Sequence, residues 1–173
     1  MTIYALGDKI PSIDPTAFIH PDSVIIGDVT VGAESSIWPG AVLRGDHGRI
    51  RIGSQTSVQD GAIIHCTSAF DTVIGDRCVI GHSAHLEGCT IMDQSLIGSH
   101  SVVLHEALVG PTSIVGAHAL VSNGKVVPPG ARALGIPAVI TLDKVTSADI
   151  DPAVDIYVRN SHWYRSDLRK LSD

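Results

Sequence analysis

From Ile19 onward an aliphatic residue opens nearly every sixth position of the chain. The hexads read IHPDSV, IIGDVT, VGAESS, IWPGAV and LRGDHG, then after a short insertion IGSQTS, VQDGAI and IHCTSA. A second insertion is followed by IGDRCV and IGHSAH, by LEGCT, which is one residue short, and by the run from IMDQSL to VPPGAR. The second position is often Gly, and the fifth is usually Ser, Thr, Ala or Val. An amphipathic helix would show a 3.6-residue period, and a simple hairpin strand would alternate without a six-residue beat. A strict six predicts a short strand and a turn, repeated. The opening aliphatic points inward, and the small fifth residue lets the chain bend at a corner.

This beat, held over roughly residues 12 to 136, resembles the hexapeptide-repeat proteins. The resemblance implies a left-handed parallel β-helix of triangular section, three hexads to a coil. The expected fold is therefore mainly β, a triangular prism, with a C-terminal α-helix. Assigning hexads to faces puts Ile37, Val58 and Ile80 on one face and Leu43, Ile64 and Leu86 on the next. The insertions, 48–50 and about 66–72, are expected to be loops that leave the faces in phase. Matching positions in successive coils stack at about 4.8 Å. One outward column is then Arg44, His65 and Glu87, and on the adjacent face Asp60 sits over His82.

The sixes stop after Gly135-Ile136-Pro137. Residues 1–136 read as the repeat domain, 137–150 as a connecting segment and 151–173 as a helix packing on the prism. Asp151-Pro152 offers an N-cap with Pro at the first helical position. Val154, Tyr157, Val158, Ser161, Tyr164, Leu168 and Leu171 recur at three- and four-residue steps. Trp163 is expected to be a packing residue.

Composition narrows the function. Hydrophobic residues make up 44% but aromatics only 4%, and Gly is high at 17, which fits narrow layers and many tight turns. A net charge of −6 gives no basic footprint for nucleic acid. Cys66, Cys78 and Cys89 form no CxxC pattern and are expected to be reduced, in a cytoplasmic protein. The first residues lack a basic-then-apolar signal pattern, and no apolar run is long enough to span a bilayer.

The chemistry concentrates between Arg44 and Glu87. His65 and Glu87, one rung apart, could share one metal ion, since metal–ligand bonds are about 2 Å. His82 lies on another face and lacks a partner for that ion within its own chain. A threefold trimer would bring a neighbour's Asp60–His82 column against Arg44–His65–Glu87 and pair Arg44 with Asp60. His20, His100, His105, His118 and His162 read as structural or solvent-exposed; His100 and His118 fall at equivalent outward turn positions.

The fragments IGDVTVG, SIWPGAVLRGD, VQDGAIIH, IGH and GCTI are similar to the γ-class carbonic anhydrases and their hexapeptide-repeat relatives. That resemblance implies a homotrimer with zinc, or another divalent metal, between subunits. It implies metal ligands at His65 and His82, with Arg44, Asp46, Gln59 and Asp60 at interface and active-site positions. The implied third histidine falls at Glu87, and a histidine stands instead at His85; geometry favours Glu87 and ligand softness favours His85. The implied activity is interconversion of CO2 and bicarbonate by metal-activated water; a proton must then leave, and His47 or His85 could carry it. Three alternatives stand beside it: a hexapeptide-repeat acyltransferase, a CoA-thioester hydrolase, and a metal-stabilised trimer without catalysis.

Overall fold

The computed structural model describes residues 2–142 and 145–171. Short parallel strands wind into a prism. The stacked columns Ile37–Val58–Ile80–Ile97–Val115 and Leu43–Ile64–Leu86–Val103–Val121 follow the six-residue beat, strand on strand in direct register. A third column, Ile52–Ile74–Ile91–Val109–Val127, closes the triangle. These aliphatics are all but completely shielded from solvent and form one continuous core. At about 25 cal/mol per Å² of buried apolar surface, this repeated burial is the main favourable term.

The corners explain the rest of the hexad. At the regular corners the small fifth residue is buried, as at Ser35, Ala62, Cys78 and Ala84, whereas Ser68, at the start of the second insertion, is exposed. The fourth residue has a positive φ in most hexads, including nine non-glycine residues such as Gln55, Arg77, Ser83, His100 and His118, but not at Asp22, Asp28, Asp46 or Thr67. This left-handed turn is costly for most side chains. Here every coil repeats it, and the polar side chains involved project outward. At the second position, a Cβ on Gly81 would lie 2.7 Å from the carbonyl oxygen of Ile97, so the adjoining coil leaves no room for one.

The strand Val42–Ile52 runs for 11 residues and bends round one corner, so two faces join as a 12-stranded sheet while the third face is an 8-stranded sheet. The first insertion is therefore not a loop. It is carried inside this strand as a bulge, where the single residue Asp28 faces the stretch 46–49. Side chains satisfy the displaced backbone: Asp71 accepts from the N–H of Arg49 at 2.7 Å, and Cys66 Sγ from that of Gly48 at 3.3 Å. The second insertion is a loop that ends at the strand Thr72–Ile74. Near the start of the chain, Thr2–Tyr4 adds a parallel rung to Val24–Val31, before the expected first hexad.

The segment expected to be only a connection contains the strand Val139–Thr141, antiparallel to Arg132–Leu134. The helix runs Ser147–Asp167, starting earlier than Asp151 and ending before Leu171. Thr146 and Asp149 form a capping box in which the Asp149 carboxylate accepts from the Thr146 N–H at 2.8 Å and the Asp149 N–H donates to the Thr146 carbonyl at 3.0 Å. Pro152 then lies inside the helix, where it forfeits one backbone bond. Residues 172–173 of the expected C-terminal region lie outside the described residues. Ile150 and Val154 pack on Val79, Leu96 and Ile114 of the 8-stranded sheet. Trp163 is 60% exposed and does not pack on the prism. Trp38 fills that role: it occupies a second-position site usually held by Gly, and its ring contacts Phe18, Tyr157 and Tyr164. Along the other edge of the helix, Arg77 bonds Gln55, Asp151 and Asp155 at 2.8–3.0 Å.

Candidate metal centre

The direct register Arg44–His65–Glu87 forms the expected outward column. Glu87 Oε1 lies 2.9 Å from His65 Nδ1, and Asp46 Oδ1 lies 2.9 Å from His65 Nε2. The bulge in Val42–Ile52 is what carries Asp46 back over the ring. Arg44 is paired with Asp46 in its own chain. Asp60, its expected partner, instead lies 2.9 Å from His82 Nδ1. His82 thus has a carboxylate partner within its own chain, because Asp60 precedes it by one coil at the same corner. Gln59 is buried beside Asp60. The helix passes close to this corner: burial, and then the charge of Asp60, raise the pKa of the Tyr157 phenol.

Glu87 gathers three imidazoles. Besides His65, His85 Nε2 is 3.4 Å from Oε2 and His105 Nε2 is 3.7 Å from Oε1. His105 belongs to the cluster although the sequence suggested a structural or exposed residue. His85 shares an outward column with Val42, Ile63, Val102 and Leu120. His100 and His118 occupy the equivalent corner positions expected of them, and their rings stack at 4.9 Å.

Burial works against the charged form of both carboxylates at His65 and is outweighed. For Asp46, the bonds from His65 and the His47 N–H, with the Arg44 charge, hold the pKa below its ordinary value. For Glu87, the contacts from His65 and His85 and the charges of His65 and His105 do the same. Both are therefore anionic acceptors near neutral pH. Cys66, next to the site in sequence, is buried and has a raised pKa.

Among the described residues of one chain, no group of three His, Cys, Asp or Glu side chains is arranged to hold a metal ion. The donor chemistry nonetheless fits zinc or a similar ion. His65 and His82 each have Nδ1 against a carboxylate, the arrangement that orients a ligating imidazole through its other nitrogen, and at His65 that nitrogen faces Asp46, itself an oxygen donor.

Comparison with known proteins places the architecture. A profile described as the GMPPB C-terminal domain matches residues 46–149, and one described as bacterial transferase hexapeptide (six repeats) matches residues 11–45. A crystal structure of a putative acetyltransferase, the product of the BC4754 gene of Bacillus cereus, superposes with a TM-score of 0.93 at 36% identity, covering 95% of this chain and 97% of that one. The chain belongs to the hexapeptide-repeat family. A hexapeptide transferase family protein from Anaplasma phagocytophilum gives 0.90 at 35% identity, covering 94% and 98%. Carnitine operon protein CaiE of Escherichia coli O157:H7 is 47% identical over 102 residues, 59% of this chain. That match spans 52% of CaiE, so the chain covers about half the length of this curated relative. The prism is accordingly the left-handed β-helix of the hexapeptide-repeat family. No helix among the described residues is long and apolar enough to cross a membrane.

Proposed function

We propose that the chain forms a threefold trimer in which His65 of one protomer and His82 of the next hold one divalent metal, zinc first, and that the site interconverts CO2 and bicarbonate. The observation that carries this reading is a carboxylate at Nδ1 of both imidazoles, hydrogen-bonded at His65 and a half-exposed ion pair at His82. In each, Nδ1 lies 2.9 Å from a carboxylate, Glu87 for His65 and Asp60 for His82. A carboxylate at one ring nitrogen fixes the ring and raises the basicity of the other. Among the described residues one chain supplies no ligating group of three, so in this reading the second chain supplies the remaining donors.

The remaining residues then have distinct tasks. Glu87 and Asp60 orient the two rings. Asp46, at Nε2 of His65, stands where it can ligate or take a proton. Arg44, held by Asp46, offers a cation to the bicarbonate anion, and the Gln59 amide offers a donor and an acceptor at the adjacent corner. His85 is the nitrogen donor left for the third ligand. A bound zinc would supply Lewis acidity, lowering the pKa of water from 15.7 to about 7. The face that bears these residues also suits self-association. Its second outward column is aliphatic at Val42, Ile63, Val102 and Leu120, and Ile63 is 46% exposed.

Complementation tests the shared site. His65→Ala and His82→Ala homotrimers should each lose stoichiometric metal and CO2 hydration. Mixed trimers should regain both at the interface that joins the intact His65 of one variant to the intact His82 of the other. Mixed trimers without metal would exclude a site shared between chains. Wild-type protein that holds zinc but hydrates CO2 no faster than buffer would exclude the hydratase reading.

A second reading is acyl transfer from a CoA thioester. It is favoured by the acetyltransferase and transferase descriptions of the two solved structures that align along nearly the whole chain. Thiol release from acetyl-CoA, with and without an amine or alcohol acceptor, separates transfer from thioester hydrolysis. No thiol release in either condition and no CO2 hydration, with metal present, would leave the metal-stabilised trimer without catalysis.

A further inference from the structure

His105 follows the strand Val102–Val103, one coil beyond Glu87. Its Nε2 is sealed from solvent and makes no hydrogen bond among the described residues. The nearest acidic atom is Glu87 Oε1 at 3.7 Å, just outside hydrogen-bond range. A buried ring nitrogen without a partner is unfavourable, and here the neighbouring acceptor is a carboxylate.

The ring is wedged in place. Phe70 stacks against it with centroids 6.1 Å apart and planes 24° from parallel. The corner residue next to both is Gly88, with φ +61. A Cβ on Gly88 would come within 2.9 Å of Phe70 Cβ and 3.1 Å of His105 Cδ2. Gly88 is thus required twice, by its left-handed turn and by the approach of these two rings. Phe70 is itself set by a local closure: Thr67 N–H donates to the Phe70 carbonyl at 2.9 Å, and Phe70 N–H to Thr67 Oγ1 at 3.0 Å. Loop, His105 and Glu87 therefore form one continuous stack ending at His65.

We infer that His105 is a positioning residue for Glu87. Its Nε2, 3.7 Å from Glu87 Oε1 and backed by Phe70, keeps that oxygen turned toward His65 Nδ1. A glutamate side chain has several rotatable bonds, and a contact behind the carboxylate removes the rotamers that would swing it off His65. The second insertion is then part of the site, because it carries the ring that holds His105. This inference rests on the proposed role of Glu87 in orienting His65, but it can be read without any metal.

The test uses metal-free full-length chain labelled with 15N-histidine. Imidazole 1H–15N correlations are recorded, and the His65 signals are identified by their loss in His65→Ala. His105→Ala and Phe70→Ala should both shift the His65 Nδ1 resonance and speed exchange of its proton. They should also raise the zinc Kd about tenfold, the lower end for loss of an outer-shell partner. His105→Gln, whose carboxamide N–H can reach the same carboxylate, should restore both. Phe70→Leu keeps the apolar bulk without the ring stack and covers the case in which an alanine variant fails to fold. Unchanged His65 resonances in His105→Ala or Phe70→Leu, with only a lower melting temperature, would make His105 a packing residue and overturn the inference. Shifted His65 resonances without a change in zinc affinity would uphold the positioning role and refute the metal reading instead.

Discussion

The role of Glu87 can be decided by substitution, because its two candidate roles predict different kinds of loss. One oxygen lies 2.9 Å from His65 Nδ1, while its contacts to His85 and His105 are longer, at 3.4 and 3.7 Å. A carboxylate at Nδ1 is placed to orient the ring rather than to replace it as a ligand. Removing such an outer partner typically weakens metal binding by about 10–100-fold, equivalent to roughly 1.4–2.8 kcal/mol, without changing stoichiometry. Removing a ligand from a site with three protein donors leaves two and should abolish stoichiometric binding. Glu87→Gln preserves the side-chain volume and one acceptor oxygen, so its effect should lie at the lower end of that range. Glu87→Ala should lie at the upper end, and His85→Ala should lose the metal. Zinc is titrated in competition with a chromophoric chelator, and bound metal per chain is counted after gel filtration. If Glu87→Gln loses zinc outright while His85→Ala retains it, Glu87 is the third ligand and the orienting argument is wrong. If both variants keep wild-type affinity, the site lies elsewhere.

Acid should destabilise the fold through the same cluster. Glu87 and Asp46 have folded-state pKa values below their ordinary 4.5 and 3.8. A lowered carboxylate pKa contributes stability above the unfolded value and loses it as pH falls through the folded value. The urea midpoint should therefore drop below about pH 4.5, and less steeply in Glu87→Gln; parallel acid limbs would remove Glu87 from the effect. Trp38→Ala, at a site 5% exposed among three rings, should cost about 3–5 kcal/mol in denaturant unfolding. A loss under about 1 kcal/mol would show that the aromatic cluster does not anchor the helix. Ile63→Arg, on an exposed strand residue, should leave the melting temperature of the chain near that of the wild-type protomer but yield monomers in sedimentation; intact trimers would move the interface off this face.

The prism could be read from the sequence because each coil stacks directly on the previous one. Once the opening aliphatics are in phase, adding one coil to Ile37 leads to Val58 and then to Ile80, and the register follows. The insertions were harder, because a bulge inside a strand and a loop outside it leave the same gap in the beat. Only the side chains that capture the Gly48 and Arg49 N–H groups distinguish them. The helix start was ambiguous for a similar reason. Thr146 with Asp149 and Asp151 with Pro152 are both start signals, and the capping box satisfies more backbone donors than the Asp-Pro pair. Trp38 stands at a position where the repeat usually has Gly, so something outside the prism had to cover it, and the helix does.

The site was readable to the level of columns and no further. Stacking alone paired His65 with Glu87 and His82 with Asp60, since neighbours on a β-helix column are separated by one strand spacing. It could not say which ring nitrogen faces the carboxylate, because that depends on rotamers. Nor could it foresee Arg44 turning to Asp46, because that pairing depends on a bulge the beat does not reveal. His105 escaped for a further reason: it reaches Glu87 around a corner, held by a Phe70 that belongs to no hexad. The same limits bear on the departure at residue 87. By type alone, a glutamate in place of the implied histidine looks like a weakened metal site. Placed at Nδ1 of His65, it instead orients the ring, whose Nε2 faces Asp46 at 2.9 Å, and Asp60 stands at Nδ1 of His82. Losing one nitrogen ligand while orienting another shifts the demand for a third donor onto His85 or Asp46, and it makes the CO2 hydration rate of metal-loaded protein, rather than sequence similarity or metal stoichiometry, the quantity that decides between a hydratase and a structural trimer.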